Sequence, residues 1–257
     1  MKAKKKFGQN FLINEQIIKN ITDLVDPNEN DLIIEIGPGK GALTKYLVQK
    51  DGYLKCIEID DDMHKYLDFY NSDNCEIIFS DILKIDLEEI SKGYNKIYVI
   101  GNLPYYITTS IIEYVTSNIK PSKMVFMVQK EVADRFTSMP GNKEYGYFTV
   151  YLNYYYEVKD EIFVGKNNFS PVPKVDSKVI SFVPRNRNLN INEEEYFNFL
   201  KLAFSQKRKT LKNNLGVDKF NKILPTLLKY GFNENVRAEQ INEEVFIEIS
   251  KMLWLML

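Results

Sequence analysis

The residues best suited to chemistry stand together in Gly101-Asn102-Leu103-Pro104-Tyr105-Tyr106. An amide side chain, backbone carbonyls beside a proline and an aromatic ring are what an exocyclic ring amine would need. Such an amine is a poor nucleophile, because its lone pair is delocalised into the ring. A side-chain carbonyl on Asn102 and a backbone carbonyl at Leu103 or Pro104 could each accept one of its N–H groups. That would draw the nitrogen toward a tetrahedral shape and favour the positive charge developing on it. Tyr105 could stack on the base, stabilising both the extruded ring and that charge. The same six residues could equally form a proline turn with flanking core aromatics.

A second group could hold a nucleoside-like cofactor. Glu35-Ile36-Gly37-Pro38-Gly39-Lys40-Gly41 follows an apolar run and precedes a helical pattern in Ala42, Leu43, Tyr46 and Leu47. Glycines at a strand-to-helix turn tolerate positive φ and let the backbone approach a ligand. The spacing is G-x-G-x-G, not the G-x-G-x-x-G of pyrophosphate-binding dinucleotide folds. Another apolar run ends at Glu58, where a carboxylate can accept from both ribose hydroxyls, and a third ends at Ser80-Asp81, placed to accept from an adenine amine. S-adenosylmethionine, with ribose and adenine but no phosphate, fits these groups better than NAD.

These residues need a frame. Four short apolar runs, 32–36, 53–57, 75–79 and 96–100, lead into Gly37, Glu58, Asp81 and Asn102, endpoints 21, 23 and 21 residues apart. That rhythm predicts successive βαβ units in a parallel sheet, whose strands are almost continuously apolar when both faces are covered. Ligands in such sheets bind beyond the carboxyl ends of the strands, where all four endpoints converge. Residues 124–128 extend the sheet before a helix from Lys130 to about Thr137. Residues 147–152 and 175–183 read as later strands, one of them antiparallel, around an irregular stretch from Lys166 to Lys174. Pro184 and the polar residues after it read as a linker. Helical spacing follows over 193–215, 218–230 and 243–257. The reading is a doubly wound α/β catalytic domain over 1–184 and a small helical domain over 185–257.

The chain has 257 residues, 44% of them hydrophobic, and a formal net charge of -1, so any nucleic-acid affinity must come from local charge. Lys2, Lys4, Lys5 and Lys6 form one basic cluster, and Lys201, Lys207, Arg208, Lys209 and Lys212 another. Either could attract phosphates or be only a solvated face. Two separated cysteines, Cys56 and Cys75, and one histidine, His64, argue against zinc and against a disulfide framework. No signal-peptide or membrane-spanning pattern is present, so a cytoplasmic protein is expected. Tyr154-Tyr155-Tyr156 reads as sheet packing; His64 and the loop Asn142 to Gly146 receive no chemistry.

Asn102-Leu103-Pro104-Tyr105 resembles the motif of amino-methyltransferases, and it does not stand alone. Phe7-Gly8-Gln9-Asn10-Phe11-Leu12 and Asn168-Phe169-Ser170-Pro171-Val172-Pro173-Lys174-Val175-Asp176-Ser177 match as well. With the glycine loop they make the chain, from Lys6 to about Leu215, similar to the ribosomal RNA adenine dimethyltransferases, nearest their small-subunit branch. The resemblance implies a Rossmann-like class I methyltransferase sheet and two successive methylations of N6 on two adjacent adenosines in the 3′-terminal hairpin of small-subunit RNA. It implies S-adenosylmethionine contacts from Asn10, Leu12, Gly37, Gly39, Glu58, Asp81 and Asn102. Asn102, Leu103 and Pro104 would hold the amine, and Tyr105 and Phe169 would sandwich the base. Lys4, Lys5, Lys6, Lys207, Arg208 and Lys209 would meet RNA, so that, on the grounds of charge and family together, 185–257 is expected to be an RNA-recognition domain. A monomer acting on a small-subunit precursor, without metal, is the expected state. The large-subunit, resistance-type relative, a non-catalytic assembly factor, and a DNA or small-molecule amine methyltransferase are the rival readings.

Overall fold

The computed structural model describes residues 10–104, 107–187 and 189–254. Apolar runs at the predicted spacing become β2 (Leu32–Ile36), β3 (Tyr53–Glu58), β4 (Cys75–Phe79), β5 (Ile97–Asn102) and β6 (Lys123–Gln129). The short strand β1 (Phe11–Leu12) precedes them, and β7 (Tyr156–Val164), β8 (Phe169–Ser170) and β9 (Ser177–Pro184) follow. The helices along this stretch are α1 (Glu15–Thr22), α2 (Thr44–Leu47), α3 (His64–Leu67), α4 (Leu87–Ser91), α5 (Thr108–Asn118) and α6 (Lys130–Phe136). Seven strands form one sheet in the order β4-β3-β2-β5-β6-β9-β7, while β1 pairs only with β8. β2 is parallel to both β3 and β5, and β9 is antiparallel to β6. All five residues of β2 are buried, as a central strand covered on both faces requires.

Chain order reverses between β2 and β5. From β2 the chain winds outward through β3 and β4, then returns to β5 and winds the other way through β6. Where such a sheet switches direction, the connections leave in opposite senses and open a crevice. Gly101 lets β5 close against β2 at this point, since a Cβ there would stand 2.4 Å from the Ile36 carbonyl oxygen.

The chain forms two compact units. One runs to Ala133 and includes Lys159–Pro184; the other joins Asp134–Val158 to the chain from Arg185 onward. The first is centred on a core that includes Ile33, Leu47, Cys56, Ile100, Val125 and Val179. The second packs Tyr145, Val150, Tyr196, Leu200, Phe220 and Phe246. A single cut after residue 184 therefore differs from the observed partition, because 134–158 clusters with the later helices.

The reason lies in α7 (Tyr147–Tyr155), where a strand was expected over 147–152. Aromatic and β-branched residues favour strands, but their spacing here serves a helix. Tyr147 meets Tyr151 at 6.2 Å and Tyr151 meets Tyr155 at 5.4 Å, both four residues apart. Thr149, Val150, Leu152 and Tyr154 are its buried residues. The Tyr154 and Tyr155 hydroxyls donate to the Glu193 carboxylate, so these rings are packing groups at a helix end rather than in a sheet.

The helix expected over 193–215 is two, α8 (Glu193–Ala203) and α9 (Leu211–Leu215). Thr210 caps the second by accepting the Asn213 N–H. The later helices are α10 (Val217–Lys229) and α11 (Glu243–Trp254). Among the described residues, no helix is long and apolar enough to cross a membrane.

Candidate active site

The crevice at the switch point lies wholly within the first unit, and its walls come from the carboxyl ends of β2 to β6 and from β1. Its floor is the glycine turn. Gly37, Gly39 and Gly41 all take positive φ, at 68°, 59° and 79°. Side chains resist that region, so the sequence must supply glycine for the backbone to curl under a ligand.

The turn is fastened to the next strand. Gly37 N–H donates to the Ile57 carbonyl and Gly39 N–H to Glu58 Oε2, each at 2.9 Å. Glu58 Oε1 accepts the Asp60 N–H at 2.9 Å. Two backbone amides thus fix the Glu58 carboxylate, which has lone pairs left for ribose hydroxyls. Burial pushes its pKa up. Asp81 accepts the Leu83 N–H at 3.1 Å and lines the same crevice.

Glu35 was part of the glycine motif but received no role. It lines the crevice yet is only 1% exposed. Its Oε2 accepts the Thr44 hydroxyl at 2.7 Å and the Cys56 thiol at 3.4 Å. Burial raises its pKa from 4.5 to about 7, outweighing those hydrogen bonds. The signal available beforehand was one charged residue inside an otherwise apolar run.

The apolar wall was also missed. Ile59 and Ile82 follow Glu58 and Asp81 directly, and with Phe11, Ile107, Ile111 and Met127 they line the crevice. Ile59 is 43% exposed and so offers apolar surface at the crevice. Polar groups on a rim above apolar surface are what a nucleoside requires. The residues present therefore fit S-adenosylmethionine.

On the other side of the crevice, Asn102 Nδ2 donates to the Asn10 carbonyl at 3.2 Å. Because that partner can only accept, the bond fixes which amide atom is nitrogen and leaves the side-chain carbonyl as the acceptor. Leu103 is anchored by its N–H to the Met127 carbonyl at 3.1 Å. The Pro104 carbonyl already accepts the Ile107 N–H at 3.3 Å and the Thr108 hydroxyl at 3.0 Å. Of the two backbone carbonyls read from the sequence, Leu103 is therefore the better second acceptor.

The structure brings Asn10, Leu12, Gly37, Gly39, Glu58, Asp81, Asn102, Leu103 and Pro104 to one crevice. Phe169 is not with them. It faces Leu12 across the β1–β8 pair, while Phe11 faces Ser170. Alternation along these strands turns Leu12 and Phe169 inward together, and Phe169 is 2% exposed in the core. It packs with Leu12 in the core and is not among the residues that line the crevice. Tyr105 lies outside the described residues, as do Lys4, Lys5 and Lys6.

In the second unit Lys207, Arg208 and Lys209 lie exposed in the turn between α8 and α9. The Lys207 ammonium donates to the Lys143 carbonyl. Lys212 pairs with Glu234 at 2.9 Å. Among the described residues, no group of three or more His, Cys, Asp or Glu could hold a metal ion.

Comparison with known proteins places the chain in a family. Residues 1–254 match the family described as ribosomal RNA adenine dimethylase. A Mycoplasma capricolum protein named ribosomal RNA small subunit methyltransferase A is 40% identical, with 99% of each chain covered. A protein of the same name from Geobacter metallireducens is 37% identical, over 98% of this chain and 96% of its own. Among solved structures, a dimethyladenosine transferase from Plasmodium falciparum matches with a TM-score of 0.76 at 24% identity, covering 93% of this chain and 95% of that one. The 23S rRNA methyltransferase ErmE matches with a TM-score of 0.78 at 22% identity, covering 95% and 99%. At those identities the two structures bear on the fold, which they share with this chain.

Proposed function

This chain belongs to the ribosomal RNA adenine dimethylase family, and from that premise we propose that it transfers methyl groups from S-adenosylmethionine to adenine N6 in small-subunit ribosomal RNA. The targets are two adjacent adenosines of the 3′-terminal hairpin, each taken to N6,N6-dimethyladenosine. The observation that carries the proposal is the Asn102 amide, turned by Asn10 so that its carbonyl is the group left to accept an amine N–H.

When bound, S-adenosylmethionine supplies an electrophilic methyl on a sulfonium. Glu58 would take the ribose hydroxyls, Asp81 the adenine amine, and the turn at Gly37 and Gly39 the close approach of the backbone. The carbonyls of Asn102 and Leu103 would each accept one N–H of the target, pointing the nitrogen lone pair at the methyl carbon. The two carbonyl dipoles would stabilise the positive charge gained by the nitrogen as the methyl leaves sulfur for it, with S-adenosylhomocysteine as the leaving group and the shed proton passing to water. A monomethylated amine has one N–H left, so the second transfer works with only one of the two acceptors engaged. Tyr105, next in sequence, would stack on the base.

The second unit would grip RNA through Lys207, Arg208 and Lys209, with Lys4, Lys5 and Lys6 adding charge at the N-terminus. The protein would act in the cytoplasm, as a monomer, on a precursor of the small subunit. Reversing Lys207, Arg208 and Lys209 to glutamate should weaken RNA binding and flatten its salt dependence. Unchanged binding would leave that turn a solvated face.

The decisive test is transfer of tritiated methyl to undermethylated small subunits and, separately, to large-subunit RNA, with the nucleoside identified. Dimethyladenosine in the small subunit alone supports the proposal. Label in the large-subunit RNA would reassign the substrate. No label in either, with cofactor bound, would point to a non-catalytic assembly factor.

A further inference from the structure

The strand β1 lines one wall of the crevice as a strap with few backbone ties. Its ladder with β8 has two residue pairs, and a two-stranded ladder is marginal by itself in water. Beyond it, Ile13 N–H donates to the Asn168 carbonyl at 2.9 Å and the Asn14 side chain to that of Asn168 at 2.8 Å. All these ties lie on the β8 side. Toward the glycine turn the contact is the Phe11 ring, which would stand 3.1 Å from a Cβ placed on Gly39. The ring rests on the residue whose N–H holds Glu58.

We propose that Lys40 is a positioning residue that latches this strap over the glycine turn by holding its ammonium against the Phe11 ring. The ammonium lies 4.5 Å from the Phe11 centroid and 5.6 Å from that of Tyr66. Both distances fall within the range of cation–π attraction. Phe11 is the stronger partner, since Tyr66 also has the Lys65 ammonium at 5.3 Å. Among the described residues Lys40 forms no ion pair that would draw it elsewhere. It is exposed and belongs to the turn itself, so the latch joins the turn to the strap directly.

The strap carries more than a wall. Asn10 and Leu12 line the crevice, and the Asn10 carbonyl orients the Asn102 amide. A closed strap therefore both retains the cofactor and sets the carbonyl that receives the target amine. This inference rests on the reading that the crevice takes S-adenosylmethionine. Binding energy from that ligand would re-close a loosened strap, so loss of the latch should fall on affinity more than on turnover.

The test uses the full chain with Lys40→Met and Lys40→Arg, and S-adenosylhomocysteine as the titrated probe. Lys40→Met should raise its Kd about two- to fivefold and speed hydrogen exchange at the Ile13 amide by a similar factor. KM for S-adenosylmethionine should rise more than kcat falls, and Lys40→Arg should restore all three, since a guanidinium also stacks on a ring. Unchanged affinity and exchange in Lys40→Met would overturn the latch. So would weakened binding with normal exchange, which would mean that the ammonium touches the ligand itself. If the wild-type chain bound no S-adenosylhomocysteine, the cofactor reading would fall and the latch with it.

Discussion

The two sides of the crevice are built in different ways. On the glycine side, Glu58 is held by two backbone amides and the turn is closed onto β3 by another, all within a stretch of 24 residues from Gly37 to Asp60. On the Asn102 side, the side-chain amide proposed to receive the target amine is oriented by a bond to Asn10, 92 residues away, and Phe169 sits in the core rather than among the residues lining the crevice. Local backbone geometry organises the cofactor groups before any ligand arrives. The groups proposed to bind the amine depend on long-range ties, so they are the part of the site most exposed to perturbation elsewhere.

Substitutions can break this contrast, and the largest effect belongs to the Asn102 side. Asn102→Ala should lower kcat for methyl transfer about 10²- to 10³-fold while leaving S-adenosylhomocysteine affinity within about tenfold. Single-turnover transfer and calorimetry would check both, and unchanged turnover would remove Asn102 from its role.

Glu35 offers the next largest effect, through pH. Its folded pKa of about 7 lies above its ordinary 4.5, so its contribution to stability is complete below 4.5 and is lost as pH rises to about 7. Glu35→Gln lacks that loss. The stability of wild type minus variant, from denaturant unfolding, should fall by about 2–3 kcal/mol across this window. A pH-independent difference would show that the buried carboxyl titrates normally.

On the glycine side, Glu58→Gln keeps one acceptor for the two amides and turns an NH2 toward the other N–H, so it should cost about 1–3 kcal/mol of stability and weaken cofactor binding about tenfold. Equal affinity would mean that the ribose is held by other groups. The smallest effect is expected at Phe169. Because Phe169 packs with Leu12 in the core, Phe169→Leu should cost about 1 kcal/mol of stability and little transfer rate. A large fall in rate with unchanged stability would restore the stacking role and erase the asymmetry between the two sides.

Much of the frame was legible. Apolar runs spaced by about twenty residues located β2 to β5, because parallel strands buried on both faces have little freedom in composition. Gly37, Glu58, Asp81 and Asn102 could be picked out because each ends such a run. Tyr147 to Leu152 misled, since ring-to-ring contact four residues apart and packing with later helices outweighed strand propensity. Glu35 and Ile59 were visible as residues but not as participants, because burial and exposure belong to the folded chain.

The amino-acid sequence by itself determined the order of strands and turns, the residue types at the strand ends and hence the class of chemistry, since these follow from local patterning and covalent spacing. Only the tertiary structure decided that the Pro104 carbonyl is already engaged, that Phe169 faces inward, and that Lys40 meets Phe11. Each of those depends on groups brought together from distant segments, where hydrogen-bond geometry, strand alternation and burial, rather than proximity along the chain, select the partner.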